Sequence, residues 1–571
     1  MEVKNQITDK LKLCILITGA TGFIGRNLVR HILAEYHNDY RIVLLCRSKN
    51  NVPEDFLQSK SIEILEHDLT LPFDKTLNVE ANIIVHLAAK VDFFDKSDIN
   101  VRNSLQVRHL LEYATSLTTP PKFIFASTLG SVDRSPWDSL RCNLNFNSPA
   151  HPRSKYGVGK LDDEEKLSSS HLPEVYILRI PWVVGSGMSR QHVRRLIELS
   201  MNSNIVSRIN WPGNVGLISN QDLAQKISEL LQPNHRSRGF VDLTDITHKV
   251  SFGSIFKEGL KLAGHGSNQA NFPRSIIKFL FLVRGLIPFQ LRAMLFDVIL
   301  SDTKYTGISQ QISENFEDIA RDISIAAKST KTDLFLTGCA SGLGWELSKV
   351  GYIKGFNVYG VDRVEPSSAR YFANFFKGDL AHESELIQIV NNWTSVSVEN
   401  QKVLINNAGI AYRDALLFNA ESFYEIKSML RINLEAPVNL YYLLQKNVKL
   451  SKVINISSSS ALVPLADFSI YGATKSALSY WSLASLDSET KFMNVIPSGM
   501  NTNLYLTTTI KGFNKSVLNP TKVSYKIYKG LKNHKKILVL GNRARIMLIL
   551  SKILPLRIVF FLFKTISKIV K

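Results

Sequence analysis

An α/β protein is expected, built as two doubly wound parallel sheets in tandem and closed by a basic amphipathic helical tail. Three observations lead there. Short apolar runs at residues 13–17 and 334–336 each lead straight into a glycine-rich loop, Thr18-Gly19-Ala20-Thr21-Gly22-Phe23-Ile24-Gly25 and Thr337-Gly338-Cys339-Ala340-Ser341-Gly342-Leu343-Gly344. The same series of strand-end sequences then recurs, once over residues 13–160 and again over 331–475. The 571 residues leave room for two cores, and 45% hydrophobic with 21% charged residues is the composition of a folded chain. Units are placed at residues 1–328 and 329–542, jointed near 326–332, with the tail at 543–571.

The later copy is the more explicit. Residues 334–336 read as a buried strand, the loop follows, and residues 345–353 read as a helix. Glycines in such a loop let the backbone approach a pyrophosphate, whose charge sits at the helix N-terminus, which makes each unit Rossmann-like. The next strand, 357–361, ends in Asp362, where a carboxylate accepts hydrogen bonds from a ribose and repels a 2′-phosphate; NAD is therefore expected here rather than NADP. Strand 403–405 ends at Asn406-Asn407-Ala408-Gly409, and strand 453–456 ends at Ser457-Ser458. Tyr471 and Lys475 share one helical face at i and i+4. A phenol titrates at about 10, so it serves as acid and base at neutral pH only when an ammonium stabilises the phenolate. Lys475 can do this, while Ser458 holds a carbonyl oxygen for protonation by Tyr471.

On these motifs, residues 331–505 resemble the compact single-domain type of the short-chain dehydrogenase/reductase family. The resemblance implies cofactor contacts from Gly338, Gly342, Gly344, Asp362, Asp379, Asn407 and Thr502, and catalytic roles for Asn433, Ser458, Tyr471 and Lys475. Asp379 matches the family's adenine-contacting Asp. Pro497 to Thr502 is similar to its carboxamide clamp, with one residue inserted.

The earlier copy is looser. Its second strand, 41–45, ends in Cys46-Arg47 with no acid, and Arg47 can meet a 2′-phosphate, so NADP is expected. Over residues 12–325 the copy resembles the family's extended type. That likeness implies Gly19, Gly22, Gly25, Arg47 and Asp68 at the cofactor, with Thr128, Tyr156 and Lys160 as the catalytic set. Thr128 is preferred to Ser127 as the hydroxyl. Residues 178–185 resemble the strand that leads into a substrate lobe. Gly159 stands where the extended type usually has Ser, and Asp162-Asp163-Glu164-Glu165 shifts the acid that often follows Lys160. The phrases IVLLCRS and HLAAKVDF also resemble fatty acyl and thioester reductases.

Cys14, Cys46, Cys142 and Cys339 lack CxxC or Cys/His spacing, which argues for a reducing compartment and against a metal. The start MEVKNQITDKLKL has no long apolar stretch, so no secretory signal is expected. Charge is the second large clue. After Glu489 no acid occurs, yet 16 Lys and Arg follow, against a net charge of +20 for the chain. Apolar runs in that tail are interrupted by cations before they reach the ~18 residues of a membrane span. Such a tail can lie in an interface with its cations toward anionic headgroups, and residues 276–300 read similarly. A helix docked on its own core, a homodimer seam and a nucleic-acid patch are the alternatives; no stacking motif accompanies the charge, so no nucleic acid is expected. The expected protein is cytoplasmic, peripheral on the inner face of a membrane, and an oxidoreductase for a hydrophobic or lipid-like carbonyl or alcohol. A soluble nucleotide-sugar epimerase or dehydratase fused to a reductase is the alternative, with Arg190, Arg194, Arg195 and Arg208 as its pyrophosphate set. Fatty acyl thioester reduction is another, and a non-enzymatic redox-sensing scaffold a fourth.

Overall fold

The computed structural model describes residues 13–36, 39–73, 79–90, 99–132, 148, 150–152, 154–188, 193–232, 238–283, 286–287, 294–295, 303–396, 400–413, 422–465, 468–485, 489–500, 502, 504, 517–555, 557–558 and 561. The chain divides into two compact units, Met1–Ile319 and Ala320–Lys571. The division falls inside helix Gln310–Ala326, upstream of the 326–332 stretch. Arg321, in the last turns of that helix, donates to the carbonyls of Tyr352 and Phe356 at 3.0 and 2.7 Å, which assigns those turns to the second unit.

Strands of the first unit are β1 (Leu13–Thr18), β2 (Tyr40–Cys46), β3 (Ile62–Glu66), β4 (Ile83–His86), β5 (Lys122–Thr128), β6 (Val175–Ile180), β7 (Trp182–Val184), β8 (Ile209–Asn210), β9 (Asn214–Ser219), β10 (Gly239–Phe240), β11 (His248–Ser251), β12 (Ala270–Asn271) and β13 (Tyr305–Thr306). Seven of them form a wholly parallel sheet in the order β10-β6-β5-β4-β1-β2-β3. A parallel sheet covered on both faces needs apolar residues at successive positions. On β1, Ile15 and Ile17 enter one core while Cys14 and Leu16 enter the other. After β6 the chain leaves the main sheet and rejoins it at β10. Outside it β13-β11-β9-β7 form a mixed sheet and β12-β8 a two-stranded one.

The second unit repeats the plan with β14 (Thr332–Thr337), β15 (Asn357–Asp362), β16 (Asn374–Lys377), β17 (Gln401–Asn406), β18 (Leu450–Ile456), β19 (Lys491–Pro497) and β20 (Ile537–Leu540), all parallel, in the order β16-β15-β14-β17-β18-β19-β20. Leu334 and Leu336 pack with Leu347, Met493 and Ile527 on one face. Phe335 packs with Trp393, Leu440 and Phe492 on the other. Each such side chain removed from water stabilises the fold by about 1.5–3 kcal/mol. In both sheets the strand order reverses beside the first strand, at β1/β4 and β14/β17, where open α/β sheets leave a crevice at the carboxyl ends.

The helix after the second glycine loop is Gly342–Ile353 and begins three residues before the expected 345. Glycine is a poor helix former, but here close approach outweighs propensity. In the tail, helix Asn542–Ile553 buries Ala544 and Met547, and Met547 packs on Val463. That inner face is therefore docked on its own core, one of the alternatives open from sequence. Among the described residues no helix is long and apolar enough to cross a membrane.

Candidate active sites

In the second unit a cleft of about 410 Å³ opens at the carboxyl ends of the strands. Gly338 takes φ +64°, and a Cβ there would lie 2.7 Å from Ala408 Cα. A Cβ on Gly344 would lie 1.8 Å from the Gly338 carbonyl oxygen. Both positions thus exclude side chains, and bare backbone faces the cleft at the N-terminus of helix Gly342–Ile353. Gly342 is at φ +55°, and its ideal Cβ lies 3.3 Å from Thr502, so the inserted residue does not carry Thr502 away from the loop. Asp362, at the tip of β15, is fixed from two sides: Ala340 N–H donates to Oδ2 at 2.9 Å and Arg363 N–H to Oδ1 at 2.7 Å. Asp379 accepts from Ala381 N–H at 2.9 Å, and Asn407 Nδ2 donates to the Gly338 carbonyl at 2.8 Å.

Ser458 caps the turn Ser459–Ala461 by accepting from Ser460 N–H at 3.2 Å. Tyr471 and Lys475 lie on helix Ser469–Ala484, both buried. Lys475 Nζ donates to the Ile456 carbonyl at 3.0 Å, and burial lowers its pKa to about 8. Asn433 sits in a π-helical turn, Arg431–Glu435, inserted between helices Ser422–Leu430 and Ala436–Asn447. Such bulges cost hydrogen-bond geometry and recur at functional sites. The turn aims Asn433 inward, where Oδ1 accepts from Ile410 N–H at 2.9 Å and Nδ2 donates to the Ile410 carbonyl at 2.9 Å and to Thr474 Oγ1 at 3.2 Å. Gly338, Gly342, Asp362, Asp379, Asn407 and Ser458 line the one cleft together with Tyr471, Lys475 and Thr502. Gly344 and Asn433 stand behind its wall.

The first unit arranges its residues in the same way. Gly19 takes φ +72°, with its ideal Cβ 2.6 Å from Ala88 N, and that of Gly25 would lie 2.3 Å from the Gly19 carbonyl oxygen. Gly22 N–H donates to the Gly19 carbonyl at 2.9 Å. Arg47 is exposed at the end of β2, and Asp68 is held below the usual carboxylate range by hydrogen bonds from Thr70, with Arg47 and Arg102 adding to the effect. Thr128 accepts from Gly130 N–H at 3.2 Å, the relation Ser458 has to Ser460. Lys160 Nζ donates to the Ala126 carbonyl at 2.8 Å, two residues before Thr128, as Lys475 does two residues before Ser458. Burial brings Lys160 to about 8 against the opposing pull of Asp163 and Glu164. Burial, with Asp163, pushes the Tyr156 phenol up to about 12.

Several participating residues escaped the sequence reading. Thr337 Oγ1 accepts from both Asn407 and Ala408 N–H at 3.0 Å, tying the phosphate loop to β17. Thr18 Oγ1 meets His86 Nδ1 at 2.7 Å, with the imidazole buried and lowered to about 3. A Thr before the first loop glycine in both copies was the available signal. Glu164 is buried, paired with Arg179 at 2.7 Å and hydrogen-bonded to Ser127 and Ser131. It stands at i+4 from Lys160, so the Asp-Asp-Glu-Glu run supplies an acid on the Lys160 face. Arg363 lines the cleft beside Asp362, its guanidinium 3.7 Å from Asp379.

The short chain dehydrogenase family model matches residues 333–512, and the NAD dependent epimerase/dehydratase family model matches residues 15–210. A hybrid PKS-NRPS synthetase, LUC5 of a Fusarium species, is 26% identical over 248 residues, which are 41% of this chain and 6% of the synthetase. The uncharacterized oxidoreductase DltE of Bacillus subtilis is 29% identical over 164 residues, 27% of this chain and 65% of DltE. The chain thus spans less than two thirds of either relative. A dTDP-glucose 4,6-dehydratase from Bacillus anthracis in complex with NAD aligns at 14% identity and TM-score 0.40, covering 54% of this chain and 96% of the dehydratase. Two family matches in series lie over two sheets that each end in a glycine cradle and a hydroxyl, Tyr and Lys set, so the chain is similar to a tandem of two short-chain dehydrogenase/reductase-type units, one matched over residues 15–210 and the other over residues 333–512.

Proposed function

We propose that each unit carries its own nicotinamide site, NADP in the first and NAD in the second, and that the protein interconverts carbonyl and alcohol on a hydrophobic, lipid-like substrate at a membrane surface. The observation that carries the reading is the second unit's cleft, where the glycine cradle, Asp362, Ser458, Tyr471 and Lys475 meet. The residues present fit a dinucleotide. Gly338 and Gly344 leave backbone alone at the helix entrance, where a pyrophosphate would be held, and Asp362, Asp379, Asn407 and Thr502 would hold the remainder. When bound, the nicotinamide supplies or accepts the hydride. Ser458 Oγ holds the substrate oxygen, and Tyr471 gives it the proton as carbonyl becomes alcohol. Lys475 stabilises the phenolate left behind.

Cofactor choice rests on the strand tips. The Asp362 carboxylate, held rigidly by two backbone N–H groups, opposes a 2′-phosphate, while Arg363 beside it moderates that repulsion. In the first unit Arg47 and Arg102 supply cations near Asp68, and the residue that follows β2 is Arg47 where the second unit has the Asp362 carboxylate, with Glu66 the acid beside Cys46 on the neighbouring strand. Of the arginines offered to a sugar nucleotide, Arg194 donates to the Met188 carbonyl at 3.2 Å and Arg208 to Ser203 Oγ at 2.8 Å, Arg195 is exposed, and Arg190 lies outside the described residues; the epimerase/dehydratase family match keeps that alternative open. Acyl thioester reduction is the second reading, favoured by the likeness to a stretch of a hybrid PKS-NRPS synthetase.

Tyr471→Phe in the full chain tests the assignment. NADH-linked turnover should fall nearly to zero while NAD affinity stays within a few-fold and NADPH-linked turnover persists. Near-parental NADH turnover would remove Tyr471 from the chemistry.

A further inference from the structure

We infer that helix Asn542–Ile553 seats the second unit on an anionic bilayer and holds the mouth of its catalytic cleft at that surface. This rests on the hydrophobic substrate proposed above. The helix has two faces. On the inner one, Ala544 and Met547 are buried, and Met547 forms a small core with Val463, joined by Leu462, Leu465, Leu550 and Leu554. Leu462 and Val463 follow directly on the turn Ser459–Ala461 that Ser458 caps. At the N-terminal end Gly541 takes φ +95°, and a Cβ there would fall 2.2 Å from Oγ of Ser498, itself a lining residue of the cleft. The helix is therefore fixed to two walls of the cleft, one beside Ser458 and one beside the Pro497–Thr502 segment.

Among the described residues the outer face has no such core packed on it. Ile546, Ile549 and Ile553 are 53%, 56% and 71% exposed and, at i, i+3 and i+7, form one ridge. Arg545 and Lys552 are exposed on the same helix, and Arg557, Ile558 and Phe561 are exposed just beyond it. The occupant follows from charge. Arg545 and Lys552 flank the ridge, Arg557 follows it, and no Asp or Glu occurs after Glu489 to offset them, so anionic headgroups complement that face. A second copy would set one cationic face against another. Nucleic acid would find isoleucines where bases need aromatic platforms. A ridge of aliphatic side chains flanked by cations fits the headgroup boundary of a bilayer.

The full chain is sedimented with vesicles of phosphatidylcholine, with and without phosphatidylserine. Binding is expected to require phosphatidylserine and to weaken, without vanishing, in high salt, because attraction is screened and apolar insertion is not. The triple variant Ile546→Glu, Ile549→Glu, Ile553→Glu alters only exposed side chains. Its sedimentation should fall at least about tenfold, and NADH turnover of a long-chain carbonyl dissolved in the vesicles should fall with it, while NADH turnover of a short water-soluble carbonyl stays at the parental level. A variant that sediments like the parent overturns the inference. So does an equal loss on the water-soluble carbonyl, which makes the ridge part of the fold. A parent chain that ignores vesicles and a variant that changes oligomeric state in light scattering assign the ridge to a second copy instead. Vesicle binding by a parent that reduces no carbonyl upholds the docking and removes the proposed substrate class.

Discussion

Replacing Lys475 by Met separates what the site needs for chemistry from what the fold needs for stability. Lys475 is buried and its pKa falls from 10.5 to about 8 through burial alone. A cationic group whose folded pKa lies below its unfolded value destabilises the fold while it is charged. That penalty is complete below pH ~8 and is lost as pH rises toward ~10.5. At neutral pH it amounts to about 3 kcal/mol, because each tenfold weakening of proton binding corresponds to about 1.4 kcal/mol. Met fills similar space without the charge, but it leaves the Ile456 carbonyl without the Nζ donor now at 3.0 Å, which costs about 1–3 kcal/mol. Lys475→Met should thus match or exceed the parent in stability at pH ~7, by about 0–2 kcal/mol, while losing nearly all NADH-linked turnover. The advantage should shrink by about 1.3 kcal/mol between pH ~7 and pH ~9, as the parent lysine deprotonates. Lys160, also near 8, is common to both chains and cancels in the difference. Hydrogen exchange of peptides from β18 and helix Ser469–Ala484 reads the second unit alone. A stability difference that does not change with pH would refute the reasoning, as would a variant several kcal/mol weaker than the parent.

Arg47→Ala should weaken NADPH binding selectively, and Asp362→Ala should relax discrimination against NADP in the second unit, each by about tenfold in fluorescence titrations; parental units that bind only the same cofactor would undo the reading of the strand tips. Gly351→Ala places a Cβ 2.4 Å from Tyr528 Oη, whose hydroxyl donates to the Leu347 carbonyl at 2.8 Å, so thermal unfolding should report a loss of about 2 kcal/mol. A gain of about 1 kcal/mol, the ordinary result of Gly→Ala within a helix, would show that the two helices have room to part. Glu164→Gln should cost about 3–5 kcal/mol by leaving Arg179 charged and buried without its carboxylate; an unchanged unfolding midpoint would show that the ion pair is dispensable.

The two sheets were legible because their chemistry is local. A parallel strand covered on both faces must be apolar throughout, as on β1 and β14, and a loop that crosses under the next strand must be glycine where Gly19 meets Ala88 and Gly338 meets Ala408. Asp362 and Arg47 were legible because they close strands. The π-turn that aims Asn433 was not, since a one-residue insertion in a helix is fixed by what it reaches, here the Ile410 backbone and Thr474, and leaves no periodic trace. The early start of helix Gly342–Ile353 was hidden for the opposite reason: propensity argues against glycine, and the 1.8 Å approach that demands it at Gly344 is tertiary. Met547 and Ile549 are equally apolar in sequence, and only the tertiary cluster around Val463 decides that the first is buried and the second exposed.

The two candidate sites share a framework and differ in electrostatics. Each lysine reaches the carbonyl two residues before a hydroxyl that caps the following turn, Lys160 to Ala126 before Thr128 and Lys475 to Ile456 before Ser458. Around Lys160 stand Asp163 and Glu164, which favour its charge, whereas burial alone acts on Lys475. Glu164 is itself occupied by Arg179, so much of its field is cancelled. Asp163 has Lys160, and Lys166 at 3.8 Å, to offset it: burial outweighs both and raises its carboxyl above the usual range, and it in turn raises Tyr156. A phenol pushed up to about 12 is a weaker acid than a free tyrosine, so burial and Asp163 both work against proton release from Tyr156, the latter a carboxylate influence that the second site does not show on Lys475.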